Sequence, residues 1–302
     1  MASLPTLDFS KFTHGSHLDR LKLGNALVKS FKDHGFVKLI NHGLPDVTTE
    51  TLLEFSKAFF KLPAEVKDEI VCIRSPHPQR GWSRVGSEQT SKLRKENIIN
   101  RNASELMDER ELQNISLQIV AAVEVGLSLE AGALVSRCCP AASEIRMNRY
   151  PPVSTERLAD GRVKRTWPHT DFGIITLLFQ DHVGGLELED RTRPGTFVPV
   201  TPVKVGPGQK SEMVVNISDT FQRWTNGVIK AGLHQVSAPP AYKAAAAPNG
   251  ILPERHSCVF FFKATRDTSA GPLPEFVTAE YPAQYDEITA LEYQQRMTKE
   301  LY

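Results

Sequence analysis

Apolar residues in the first 130 positions recur at helical spacing. Leu18, Leu21, Leu27, Val28 and Phe31 follow such a pattern, and Gly35 comes after them as a stop, which predicts a helix ending near residue 34. FVKLINHGLP then reads as a short strand running into a turn. TTETLLEFSKAFFKL predicts a second helix, and LPAEVKDEI a shorter one with Pro63 in its first turn. Leu112, Ile115, Ile119 and Val123 mark a long helix across ELQNISLQIVAAVEVGLSL.

The texture changes after residue 140. Short β-rich runs (EIRMNRYP, IITLLFQD, GGLELED, TFVPVTPV, EMVVNIS, HSCVFFFKA) alternate with glycine and proline turn signals. Many short strands in succession predict a sandwich or barrel rather than a parallel α/β sheet. ITALEYQQRMTKELY returns to helical character, and YKAAAAPNG reads as a loop between strands, with a short helix as the alternative. The expected class is therefore mainly β with a helical N-terminal region, divided into residues 1–130 and 131–302.

Composition narrows the function classes. The 36 basic and 35 acidic residues nearly cancel, so no strong steering toward nucleic acid or an anionic membrane is expected. No apolar run approaches the roughly 18–20 residues that span a bilayer, and MASLPTLDFS lacks the features of a secretory signal. Four cysteines without a CxxC pair are too sparse for a disulfide framework and read as thiols. The expectation is a cytoplasmic protein. The sequence specifies no oligomeric state.

Three polar pairs interrupt the apolar strands. HTDFG places His169 and Asp171 two residues apart, where an extended strand turns both to one face. A His–Asp hydrogen bond at a strand end is one reading. The other is a metal site completed by His234 of KAGLHQV, since two histidines and one carboxylate form the donor set of non-haem Fe(II) oxygenases. Arg255 and Ser257 of RHS share a second face, with Val259 and Phe261 following on it. A guanidinium fork beside a hydroxyl suits bidentate capture of a carboxylate, and a salt bridge to Asp or Glu is the alternative. Asn148 and Tyr150 of RMNRYPP form the third pair, able to bond a carboxylate or keto oxygen. Among the other histidines, His42 of NHG reads as turn chemistry, and His14, His17, His34, His77, His182 and His256 as surface or structural residues.

In this order, HTDFGIITLLFQDHVGGLELED, VVNISDTFQRWTNGVIKAGLHQV and RHS followed by VFFF resemble the Fe(II)- and 2-oxoglutarate-dependent dioxygenases. The likeness is to the isopenicillin N synthase-like branch, with flavonol synthase and gibberellin oxidases. LPTLDFS, SFKDHGFVKLINHGLP, ASEIRMNRYPP and LEYQQRMTKELY extend it over most of the chain. The resemblance implies a double-stranded β-helix, or jelly roll, with helices packed on it. It implies His169, Asp171 and His234 as iron ligands, and Arg255 and Ser257 as holders of the distal carboxylate of 2-oxoglutarate. Tyr150 and Asn148 would support the iron-chelating end of that cosubstrate, and Phe261 and Phe172 would line the substrate pocket. Dioxygen would be consumed, with ascorbate as an accessory reductant and release of succinate and carbon dioxide. A small, largely apolar metabolite, as in specialised metabolism, would be hydroxylated, desaturated or cyclised.

Three departures stand out. The stretch from Gln89 to Asn114 is shorter than the family pattern, the interval from His234 to Arg255 is long, and Gln235 and Ser218 occupy supporting positions where Arg and Gly are commoner. The shortened stretch could open the site or leave it incomplete. Competing readings are an iron oxidase of this fold that does not use 2-oxoglutarate, a catalytically poor binding protein, and a zinc hydrolase that would leave Arg255 and Ser257 without a role.

Overall fold

The helix His17–His34 opens with a reciprocal cap, in which the Ser16 hydroxyl accepts from the Asp19 amide and the Asp19 carboxylate accepts from the Ser16 amide. It closes on Gly35, whose amide donates to the Phe31 carbonyl. The buried stripe is Leu23, Leu27, Val28 and Phe31, while Leu18 and Leu21 are exposed. At 100° per residue Leu18 and Leu21 sit about 140° and 160° around the helix from Leu23, off the stripe to which the predicted spacing assigned them. The stripe packs on the helix Glu109–Leu127. Their backbones approach at Gly24 and Gly126, where an added Cβ on Gly126 would lie 2.2 Å from the Gly24 oxygen. The computed structural model describes residues 4–71, 81–84, 100–103, 109–159, 163–202, 210–242 and 250–299.

Two sheets form the body of the fold. The larger runs Thr6–Asp8, Phe36–Ile40, Met213–Ile217, Ile175–Gln180, Arg255–Phe262, Glu144–Tyr150, Asn100–Ala103 and Gly81–Ser83 in spatial order. The smaller runs Phe197–Pro199, Leu186–Glu189, His234–Val236 and Thr166–His169. Side-chain alternation divides the larger sheet between two cores. Ile175, Leu177, Phe179, Cys258, Phe260 and Phe262 join the helices in one cluster. Leu178, Val214 and Val259 meet Leu186 and Leu188 of the smaller sheet in another. IITLLFQ is mostly apolar because both of its faces are buried, with Thr176 and Gln180 as its polar positions. This is the jelly-roll architecture, with the helices Asp46–Lys61 and Glu109–Leu127 packed against the outer face of the large sheet.

The N-terminal region does more than cover the barrel. Phe36–Ile40 pairs antiparallel with Met213–Ile217, and Thr6–Asp8 adds to it in parallel. TLD is too short to announce itself as a strand. The predicted helices over 48–62 and 288–302 appear as Asp46–Lys61 and Ala290–Lys299. Most of the short 89–114 stretch lies outside the described residues, as does the Ala/Pro loop at 243–249, but Asn100–Ala103 pairs with both Gly81–Ser83 and Glu144–Tyr150. The stretch thus still supplies a strand. Cys138, Cys139 and Cys258 are free thiols. No helix among the described residues is long and apolar enough to cross a membrane.

Gly35 carries a testable constraint. Its φ is 75°, and a Cβ there would lie 2.7 Å from the Gly232 Cα. Strain and contact together are expected to make Gly35→Ala less stable by about 1–3 kcal/mol. Urea unfolding of the two proteins checks it, and equal midpoints would mean that the turn relaxes freely.

Candidate metal centre

His169 is the last residue of Thr166–His169, and His234 is the first of His234–Val236, directly across from it. The pairing slips between these strands, so that three steps from Thr166 to His169 oppose two from His234 to Val236. This bulge turns Thr166 and His169 inward together, opposite His234 and Val236. Asp171 lies beyond the strand end, at the corner where the chain leaves the small sheet for Ile175–Gln180. The strand alternation predicted for His169 and Asp171 therefore does not extend to Asp171. The corner delivers its carboxylate instead. One ligand atom from each of His169, Asp171 and His234 lies within 4.8 Å of the others.

Neighbouring groups set the orientation of each donor. His169 Nδ1 is 2.8 Å from the Trp167 carbonyl and His234 Nδ1 is 2.9 Å from the Gly232 carbonyl. Donation there fixes the tautomer and leaves both Nε2 lone pairs for a metal. The two rings lie 4.3 Å apart, and Phe36 packs edge-on against His234 at 5.6 Å. Asp171 Oδ2 accepts from Thr176 Oγ1 at 2.7 Å and from Asn216 Nδ2 at 2.8 Å, leaving Oδ1 toward His169 Nε2 at 4.0 Å. Burial alone would raise the Asp171 carboxyl. The two imidazoles and the bonds from Asn216 and Thr176 outweigh burial and hold it below the ordinary carboxylate range. Behind it, burial pushes Asp219 up to about 6, with Asp171 adding to the rise. The Asp219 amide donates to the Asp171 carbonyl, and its carboxylate accepts from Tyr293 of the closing helix.

Asn216 thus positions a ligand it does not replace. Asn216→Ala is expected to weaken divalent-metal affinity by about 10–100-fold while leaving the fold intact. Titration with Co(II) measures this, and unchanged affinity would assign the whole task to Thr176.

The other polar pairs meet across two strands. Register sets Arg255 opposite Tyr150 and Ser257 opposite Asn148. Arg255 Nη1 lies 3.3 Å from Ser257 Oγ, Nη2 donates to Gln180 Oε1 at 2.8 Å, and Asn148 Nδ2 reaches Ser257 Oγ at 3.4 Å. The alternative salt bridge is absent, since Arg255 has no carboxylate partner among the described residues. Both sheets enclose one cavity, lined by the three metal-binding candidates and by Arg255, Ser257, Asn148 and Tyr150. Asn148 Oδ1, Thr166 Oγ1 and Arg255 Nε are buried there without a hydrogen-bond partner. Orphaned donors and acceptors of this kind fit a bound keto acid, and the His–Asp–His donors fit Fe(II).

Phe261 lines the cavity, but Phe172 does not. It follows the corner, where its carbonyl accepts from Thr220. Trp82, Trp224, Phe260 and Phe262 belong to the helix-side core. Gln235 is a supporting residue in fact, bonded to Glu187 and Lys164 behind His234, and Ser218 contacts Thr176. His256 is buried and bonded to Ser56 and Glu254 on the opposite sheet face, and His42 contacts Ser211. Sequence reasoning missed Thr176, Asn216 and Gln180. Each is a polar residue at an inward position of an apolar strand, and that alternation was the available signal.

A jelly roll with two histidines and one carboxylate at its mouth and a buried arginine within defines a non-haem iron oxygenase. Family models agree: one described as the non-haem dioxygenase in morphine synthesis N-terminal matches residues 4–116, and one described as the 2OG-Fe(II) oxygenase superfamily matches 142–264. A curated relative, the 2-oxoglutarate-dependent dioxygenase imqE of Aspergillus flavus, is 40% identical over 100% of this chain and 95% of its own. A second, phqC of Penicillium fellutanum, is 40% identical over 98% and 94%. The crystal structure of a full-length Neurospora crassa protein in complex with alpha-KG superposes with a TM-score of 0.84 at 27% identity, covering 98% of this chain and 96% of that one. The chain belongs to the 2OG-Fe(II) oxygenase superfamily and is a 2-oxoglutarate-dependent dioxygenase.

Proposed function

We propose that His169, Asp171 and His234 hold iron(II), and that Arg255 and Ser257 take the distal carboxylate of 2-oxoglutarate. Tyr150 and Asn148, expected at the iron-chelating end, stand opposite Arg255 and Ser257 on the neighbouring strand, and we assign them to the support of the cosubstrate from that side. One observation carries the reading: the three ligand atoms converge within 4.8 Å in a cavity that also holds a buried arginine with no carboxylate partner among the described residues. Iron and 2-oxoglutarate, when bound, supply dioxygen activation with release of succinate and carbon dioxide, and the oxidant for a substrate C–H bond. The chain orients and encloses. Asn216 and Thr176 keep Asp171 ionised and aimed, the Trp167 and Gly232 carbonyls fix the imidazoles, and Leu178, Val259 and Phe261 exclude water.

The substrate is a small, largely apolar molecule of fungal specialised metabolism, hydroxylated, desaturated or cyclised. Support comes from the apolar wall, from the fungal sources of the 40%-identical relatives, and from the Neurospora crassa protein, whose crystals hold thymine or 5-formyluracil beside alpha-KG. Nucleic acid is not the substrate, in line with a net charge of +1. We place the protein in the cytoplasm, which suits its free thiols. The division near residue 130 falls between the two matched segments, which end at 116 and begin at 142. Succinate formation from 2-oxoglutarate by the purified protein with Fe(II), ascorbate and air tests the reading. Absence of both turnover and iron-dependent 2-oxoglutarate binding would overturn it.

A further inference from the structure

Arg165 precedes the strand Thr166–His169 and is fully buried. Its Nη2 donates to the Pro253 carbonyl, whereas Nε and Nη1 have no hydrogen-bond partner. Arg255, also buried, has its own Nε unpaired. The two guanidiniums share one aromatic ring: Arg255 Cζ lies 4.7 Å and Arg165 Cζ 5.9 Å from the Tyr150 centroid. Nearby carboxylates are engaged elsewhere. Glu254 accepts from His256 and Arg149, and Asp181 from the amides of Val183 and His256. Burial and the charge of Arg255 push Arg165 down to about 10, which still leaves it a cation at neutral pH.

Two buried cations without a carboxylate in contact among the described residues are costly to fold, and a site accepts such a cost where a ligand returns the missing charge. Hydrogen bonding to Pro253 alone does not require a guanidinium, because any donor would serve. Tyr150 rather than Arg165 forms the cavity wall, so Arg165 acts through its field and through the ring it backs.

We propose that Arg165 is a second cation for the distal carboxylate of 2-oxoglutarate, a positioning residue behind Tyr150 that selects dicarboxylate over monocarboxylate 2-oxo acids. The inference rests on the cosubstrate reading above. Calorimetric binding to the Mn(II)-loaded full chain tests it without turnover, using 2-oxoglutarate and 2-oxopentanoate, the same five-carbon chain with a methyl end. In Arg165→Gln, 2-oxoglutarate affinity is expected to fall about tenfold while 2-oxopentanoate changes by less than about twofold, as removal of one charge near a carboxylate dictates. Arg165→Lys keeps the charge and is expected to bind both ligands like the parent. Equal loss for the two ligands in Arg165→Gln, or no loss for either, overturns the proposal. Should the glutamine variant not fold, Arg165→Met, which keeps the apolar bulk and removes the charge, decides: a selective loss of 2-oxoglutarate affinity supports the charge role, and parallel loss of both ligands or loss of neither overturns it. Failure of the parent protein to bind 2-oxoglutarate at all would instead fell the cosubstrate reading, and this inference with it.

Discussion

His169→Ala is expected to end iron-dependent succinate formation and to lower Fe(II) affinity by more than about 100-fold. Groups that merely orient metal ligands are worth about 10–100-fold in affinity, and His169 is itself a donor. Its removal leaves one imidazole and one carboxylate, too few to hold the ion against water. His169 is also a ligand whose loss the fold tolerates better than that of buried Asp171. It is partly exposed at a strand end, and its Nδ1 partner, the Trp167 carbonyl, is a backbone group next to the rim. Asp171→Ala would be a poorer test, because Asn216 and Thr176 would lose a buried acceptor, at about 1–3 kcal/mol for each group left unsatisfied. Metal titration and a thermal melt of His169→Ala read the two effects separately. A parent-like metal affinity would move the iron away from this triad.

Most of this centre was legible from spacing. Arg255 and Ser257 share a face because their strand is regular over eight residues, and the same alternation sets Asn148 and Tyr150 opposite them. Alternation held wherever the ladder was long. It failed at Asp171 because the strand ends at His169, and a corner has no period to read. Phe172 left the predicted pocket for the same reason. Arg165, which carries no periodic signal of its own, acquires meaning only when Tyr150 and Arg255 are brought beside it.

The N-terminal region shows a different limit. Helical spacing located His17–His34 and Glu109–Leu127, but local pattern cannot report that Phe36 reaches from the large sheet to His234 of the small one. That contact depends on Phe36–Ile40 entering the large sheet beside Met213–Ile217, a pairing some 180 residues distant in sequence. Gly35 and Gly232 allow the two segments to approach, and the Gly232 carbonyl in turn holds the His234 ring. The leader and the metal centre are one construction, built through residues whose sequence signature is no more than a glycine.

Arg255→Ala is expected to raise the apparent KM for 2-oxoglutarate by about 10–100-fold with a smaller change in kcat, the range for losing a hydrogen bond to a charged group. The split follows from position. Arg255 stands with Ser257 and Tyr150 rather than among the metal donors, so its loss weakens the hold on the cosubstrate tail and leaves the donor set untouched. Arg255→Lys should fall between parent and alanine variant. An ammonium restores the charge but cannot bond Gln180 and Ser257 and still present a planar fork to a carboxylate. Ser257→Ala should cost least, about five- to tenfold, as one hydrogen bond from an uncharged donor is lost while the guanidinium stays. The descending order Arg255→Ala, Arg255→Lys, Ser257→Ala is therefore a signature of carboxylate capture, read from initial rates of succinate formation across a 2-oxoglutarate series. A uniform loss of kcat at unchanged KM would contradict it, because the hold on the cosubstrate would then not depend on Arg255.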